Sequence, residues 1–235
     1  MARKPRFYLP DVPAHVMQRG HNRDAIFFKD ADYVVYLKIF RRVAEQFECQ
    51  VHAYVLMTNH VHFLLTPARS DSISLLFKAL GAEYVRYVNK TYRRSGTLWG
   101  GRHKGCIIDS SNYFLRCMQY IELNPIRAGM VGDPSHYAWS SYKANAEGAA
   151  SVILTPHVEY LSLAKEKDAR VSLYCQLLAT QMTTNCVQSI DDCLQSGTPL
   201  GGIQFINSIE KMLNFSVGRV KRGRPKKERN SAILS

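Results

Sequence analysis

The sequence predicts an α+β protein, a mostly antiparallel sheet with two helices on one face. Three observations carry this. Residues 54–65, YVLMTNHVHFLL, hold two apolar runs split by the polar pair Thr58-Asn59, which reads as a β-hairpin. Stretches with apolar residues at helical spacing lie before and after that hairpin. A strand-like run opens the chain's first third and another follows the second helix, so the order is strand, helix, hairpin, helix, strand.

Taken in order, residues 12–19 form the first strand and end in the polar turn Gly20-His21-Asn22-Arg23-Asp24. Asp30 or Asp32 caps a helix whose core face is Tyr36, Ile39, Phe40, Val43 and Phe47. The hairpin strands are 50–57 and 60–66, with Asn59 suited to the positive φ of a tight turn. After Pro67, Ser70 or Asp71 opens a helix over about 72–92 with Ile73, Leu76, Leu80, Tyr84 and Val88 on one stripe. Gly96-Thr97 breaks it, and 98–109 returns as the fourth strand. Ser110 or Ser111 then caps a helix with Phe114, Cys117, Met118 and Ile121 inward, and Pro125 ends it.

Composition is that of a globular protein, 46% apolar and 21% charged over 235 residues. No apolar run is long enough to span a bilayer and the N-terminus lacks a secretory h-region, so a cytoplasmic protein is expected. Six cysteines without CxxC spacing read as reduced thiols. The net charge of +12 is unevenly placed. Residues 1–145 carry 20 Lys/Arg against 11 Asp/Glu, residues 146–218 carry 4 against 7, and residues 219–235 carry 7 against 1. A basic body with a basic tail points to nucleic acid, because phosphate neutralisation supplies most non-specific affinity.

The chemistry concentrates in two places. His60 and His62, two apart on a strand, project to one face, and paired imidazoles make half of a divalent-metal site. Two histidines satisfied by backbone or water would have the same spacing. Further on, Tyr120 and Asn124 are four apart, neighbours on one helix surface or its last turn. A tyrosine attacks a phosphodiester readily only when a cation neutralises and polarises the phosphate. An N/N/O set of His60, His62 and Asn124 with open positions suits Mg²⁺ or Mn²⁺ rather than structural zinc.

Five segments, HVMQRGHNRDAIF (15–27), MTNHVHFLL (57–65), LWGGRHKG (98–105), YIELNPIRAGMV (120–131) and YAWSSY (137–142), together resemble the ordered motifs of single-tyrosine HUH transposases. Among these the chain is most similar to the REP-associated tyrosine transposases, over about residues 5–145. The resemblance implies a ferredoxin-like, RRM-related sheet, with His60 and His62 as metal ligands, Asn124 as the third ligand and Tyr120 as the nucleophile. It also implies cleavage of single-stranded DNA beside hairpins of repetitive extragenic palindromes, through a 5′-phosphotyrosine intermediate, by a monomer. Gly100 and His103 depart from the family's usual residues, at positions expected near the DNA path. Arg19, Arg23, Arg102, Lys104 and Arg127 are candidates for backbone contacts.

Beyond the domain at 1–145, residues 146–218 read as a small helical domain with helices near 156–163, 166–181, 185–195 and 201–214. The tail 219–235 contains Arg222-Gly223-Arg224-Pro225, an AT-hook core whose arginines suit a narrow minor groove. The competing reading keeps the fold without catalysis, as a DNA-hairpin-binding protein or regulator. An RNA-binding module would instead display aromatics on its sheet.

Overall fold

The computed structural model describes residues 6–217. Its centre is a four-stranded antiparallel sheet of β1 (Ala14–Arg19), β2 (Cys49–Met57), β3 (His60–Pro67) and β4 (Lys104–Ile107) in the order β2-β3-β1-β4. With α1 (Asp30–Gln46) between β1 and β2, and α2 (Ser72–Thr91) between β3 and β4, this is the ferredoxin-like βαββαβ topology. The expected fold class is the observed one.

Local chemistry accounts for the boundaries. The Asp32 carboxylate starts α1 by accepting the backbone N–H of Phe28 (2.7 Å) and Lys29 (3.0 Å), which leaves Asp30 without that role. The hairpin turn has two residues, with Met57 opposite His60. Asn59 is absent from the positive-φ residues, so the sequence argument from its backbone does not hold; its side chain is what the turn uses. The fourth strand is shorter than expected. Only residues 104–107 pair continuously, because the glycines at 100 and 101 turn the chain and leave a single bridge between Trp99 and Gly20.

One sheet face is covered by α1 and α2, where Val16, Val61, Phe63 and Leu65 meet Tyr36, Phe40, Leu76 and Leu80. The opposite face is covered too, which amends the one-face expectation. There α3 (Ser110–Glu122) lays Phe114, Cys117, Met118, Tyr120 and Ile121 over Met17, Ala53, Val55 and Leu64. The reason lies in β2 and β3, which are near-continuous apolar runs, the pattern of strands buried on both sides.

After α3 the chain breaks at Leu123, and α4 (Asn124–Arg127) begins with Pro125 in its first turn. Asn124 therefore opens a new helix rather than ending α3. Two short helices follow, α5 (Tyr142–Ala146) and α6 (Val158–Leu161), then α7 (Lys167–Ala179), α8 (Thr184–Ser196) and α9 (Ile203–Leu213). Gly197 ends α8 at φ 75°, as its position in the sequence implies. The helices at 146–218 do not stand off from the sheet. Tyr174, Leu178, Ile190 and Leu194 join the second core, while Ile209 of α9 joins the first. Leu200 also exchanges backbone hydrogen bonds with Ile107 (2.9 Å) and Asp109 (2.8 Å) at the outer edge of β4. No described helix is long and apolar enough to cross a membrane, and all six cysteines are free thiols. Arg222 and Arg224 lie outside the described residues.

Candidate active site

The two-residue turn puts His60 first on β3, and alternation along the strand sends His60 and His62 to the α3 face with ring centroids 5.1 Å apart. On the neighbouring strand, Met17 is the partner of His62, so His15 shares that face and lies diagonally beside it. His15 Nε2 is 2.9 Å from His62 Nδ1. Three imidazoles thus line one strip of the sheet. Tyr120 descends from α3 onto this strip, edge-on to the rings of His15 (5.5 Å) and His62 (5.8 Å).

All three imidazoles are neutral at physiological pH. Burial, followed by Arg19, lowers His60 to about 4. Burial, then Arg127, lowers His15 to about 3. Burial and the neighbouring His15 and His60 hold His62 well below its ordinary value. A neutral imidazole keeps a lone pair for a cation. Asn59 decides which nitrogen of His60 carries it: His60 Nδ1–H donates to Asn59 Oδ1 (2.6 Å), leaving Nε2 free to ligate. Asn59 is itself anchored by donating from Nδ2 to the Arg23 carbonyl (2.8 Å). His62 Nδ1 faces His15 in the same supporting manner. Among the described residues, no group of three His, Cys, Asp or Glu could hold a metal alone. Two imidazoles alone would need oxygen donors from elsewhere to complete a cation's shell. The Asn124 carboxamide makes no hydrogen bond among the described residues, so its oxygen is uncommitted.

The Tyr120 side chain is 5% exposed and its hydroxyl donates to Asp191 Oδ1 on α8 at 2.6 Å. Burial, and then the Asp191 carboxylate, push the phenol's ionisation well above its ordinary value. Arg127, named from sequence as a backbone contact, lies with its guanidinium 3.8 Å above the Tyr120 ring and donates to the Tyr120 carbonyl oxygen (2.8 Å). The residue itself remains exposed to solvent.

Beside the His60 end of the strip is a cleft between the β1 turn and the loop before β4. It is lined by Arg19, Arg23, Gly100, Gly101, Arg102 and Lys104, so four of the five cations singled out from the sequence converge there. Lys104 also reaches Gln195 of α8. The cleft depends on Gly20, where a Cβ would meet the Asp24 carbonyl oxygen at 2.3 Å. Gly100 lines the cleft, whereas His103 does not. His103 is 5% exposed, packed on Phe77 with centroids 4.6 Å apart and hydrogen-bonded to the Tyr8 hydroxyl (3.1 Å). Strand alternation turns it inward between two outward cations.

Two site residues escaped the sequence reading. His15 could have been found by noticing that it repeats the period-two pattern in the adjacent strand. Asp191, an acidic residue within a polar stretch of α8, carried no local mark.

Residues 9–124 match the family described as "Transposase IS200 like". Among solved structures, the chain is similar to a REP-associated tyrosine transposase bound to a REP hairpin, at 18% identity and a TM-score of 0.55. That likeness covers 67% of this chain and 93% of the other. A Deinococcus radiodurans R1 protein, itself only provisionally described as a transposase, is a looser likeness at 23% identity and a TM-score of 0.36. It covers 52% of this chain and 96% of that one. No curated protein matches the chain.

Proposed function

We propose, from the match of residues 9–124 to the family described as "Transposase IS200 like", that the chain cleaves and rejoins single-stranded DNA beside hairpins of repetitive extragenic palindromes. The observation that supports this best is the placement of Tyr120 edge-on to His62, whose ring in turn lies 5.1 Å from that of His60, on one face of the sheet. The similar structure was solved with a REP hairpin, which supports a hairpin substrate here.

In this reading the DNA backbone lies along the cleft on Arg19, Arg23, Arg102 and Lys104, and the scissile phosphate reaches the histidine strip. His60, His62 and Asn124 would hold a Mg²⁺ or Mn²⁺ ion, which would supply charge neutralisation and polarisation of that phosphate. The Tyr120 oxygen attacks phosphorus, forming a 5′-phosphotyrosyl bond while the 3′-oxygen leaves. Asn59 and His15 hold the two imidazoles in ligating orientation. Arg127 offsets negative charge gathering on the tyrosine oxygen. A 3′-OH from the same or another strand reverses the step and releases Tyr120. Residues 1–145 carry this chemistry, residues 146–218 form helices docked on it, and Arg222 and Arg224 of the tail add duplex affinity. The protein acts as a monomer in the cytoplasm, at the nucleoid.

The test is incubation of 5′- and 3′-labelled hairpin DNA from the host's extragenic palindromes with Mg²⁺ or Mn²⁺, with EDTA, and with Tyr120→Phe. A metal-dependent covalent adduct to the 5′-phosphate side, absent in the variant, supports the proposal. Tight hairpin binding without any adduct would instead support a non-catalytic hairpin-binding protein.

A further inference from the structure

We infer that Asp191, on α8 of the C-terminal region, is the catalytic proton acceptor for the Tyr120 hydroxyl. The inference rests on the cleavage reading above and assigns to the C-terminal helices a part in it.

A tyrosine hydroxyl is protonated at neutral pH, its ordinary pKa being about 10. To attack phosphorus it must give up that proton during bond formation, and a group within hydrogen-bond reach must receive it. Asp191 Oδ1, at 2.6 Å, is the group that the hydroxyl meets. Among the imidazoles nearby, His60 Nδ1 is bonded to Asn59 and His15 Nε2 to His62 Nδ1, while His15 Nδ1 has no partner and the Tyr120 hydroxyl turns to Asp191 instead. Neither ring in edge contact with Tyr120 takes a hydrogen bond from its hydroxyl. A carboxylate accepting a hydroxyl proton in phosphoryl transfer has a clear chemical precedent.

The position of Asp191 is built rather than incidental. The residue before it, Ile190, has no exposed surface, and Leu194, a turn later, is 1% exposed in the core beneath α3. Those two anchors set the rotation of α8 about its axis. The Thr183 hydroxyl caps the helix through the Cys186 N–H (3.3 Å). Gly197 stops it in the left-handed region, and Leu200 then pairs with the edge of β4. With its core face buried by Ile190 and Leu194 and its C-terminal end tied to β4 through Leu200, α8 holds the carboxylate at the phenol although 71 residues separate them in sequence.

The step balances as follows. The Tyr120 O–H bond breaks and its proton passes to Asp191 as the O–P bond forms. The P–O3′ bond breaks with its electron pair on the 3′-oxygen, which takes a proton from water. In the reverse direction water accepts the proton of the incoming 3′-OH, and protonated Asp191 returns its own to the departing tyrosine oxygen.

Single-turnover adduct formation on a hairpin DNA, in Mn²⁺, is compared for the full chain, Asp191→Asn, Asp191→Glu, Asp191→Ala with and without added formate, and Asp192→Asn. Hairpin affinity is measured in parallel. The expected result is a fall of about 100-fold in rate for Asp191→Asn with unchanged affinity. Asp191→Glu recovers part of the rate, formate restores Asp191→Ala, and Asp192→Asn matches the unmodified chain. A merely structural role would not respond to formate. If Asp191→Asn loses its fold, the Asp191→Glu rate and the formate response decide. An Asp191→Asn rate equal to or above that of the unmodified chain overturns the inference, a higher rate identifying the hydrogen bond as a restraint on the nucleophile. Absence of any adduct with the unmodified chain overturns the cleavage reading as well, whereas an adduct with an indifferent Asp191→Asn overturns this inference alone.

Discussion

Glu122 has no exposed surface, yet it is a carboxyl group two residues from Tyr120. Burial raises its pKa, while three donors act the other way. Oε1 accepts from Ser141 Oγ (2.5 Å) and Asn145 Nδ2 (2.7 Å), and Oε2 accepts from the Tyr174 hydroxyl on α7 (2.7 Å). Replacing it by alanine does not orphan the donors equally. Ser141 Oγ keeps the Tyr54 carbonyl at 3.3 Å and Asn145 Nδ2 keeps that of His52 at 3.1 Å. Tyr174, with no exposed surface, has no other acceptor among the described hydrogen bonds. An orphaned buried donor costs about 1–3 kcal/mol, and the vacated volume and two weakened bonds add about as much again. Glu122→Ala is therefore expected to destabilise by about 4 kcal/mol. Glu122→Gln, which keeps the shape and lets the Tyr174 hydroxyl turn to accept, costs about 1 kcal/mol. Urea unfolding of Glu122→Ala, Tyr174→Phe and the double variant measures this. The double variant should lose less than the sum of the singles by about 1.5 kcal/mol, since removing one partner strands the other. A Glu122→Ala loss below about 1 kcal/mol, or strict additivity with Tyr174→Phe, would refute the view that this carboxylate ties α7 to α3.

Asn59→Ala frees His60 Nδ1 and should weaken Mn²⁺ binding about 10- to 100-fold by calorimetry, with the melting temperature little changed; affinity unaltered would remove Asn59 from a supporting role. Arg102→Ala should lower hairpin affinity and reduce the salt slope of log K by about 1, as loss of one phosphate contact requires; an unchanged slope places the backbone elsewhere. His52 is held neutral, its Nδ1 donating to the Thr155 carbonyl (2.7 Å) and its Nε2 accepting from the Thr66 hydroxyl (2.8 Å), and burial lowers it to about 4. The unfolded state therefore binds the proton first as pH falls. Its contribution is fully present above about 6.5 and is lost on the way down to about 4. From pH 7 to 4.5 the chain should lose about 2.5 kcal/mol more stability than His52→Gln, by denaturant titration; equal losses would show His52 indifferent to its burial.

Much of the fold was legible because it is governed by short-range periodicity. Alternation along residues 60–67 sends His60 and His62 to one face whatever lies above them. The three- and four-residue steps of Tyr36, Ile39, Phe40 and Val43 give α1 its core side. The stop at Gly197 follows from the left-handed conformation that glycine adopts readily. The chemical identities of His60, His62 and Tyr120 were likewise sufficient to single them out. Misreadings arose where a local rule met a non-local one. Pro125 ends one helix by the rule for residues before proline, but a proline in a first turn also begins one, and α4 starts there. His103 lies between two cations in sequence, yet its inward direction and the space beside Phe77 bury it.

What only the tertiary structure decided is the partner of each group. The apolar continuity of β2 and β3 requires a cover on both faces without saying which segment supplies it. The answer is α3 together with α7 and α8, which brings Asp191 to Tyr120 and Tyr174 to Glu122, while the pairing of β1 with β3 brings His15 to His62. Those pairings bridge 71, 52 and 47 residues. Over such separations no periodicity operates. The choice rests on the burial of Ile190, Leu194 and Leu178 against the sheet, a sum of many small packing terms that no single stretch of sequence contains.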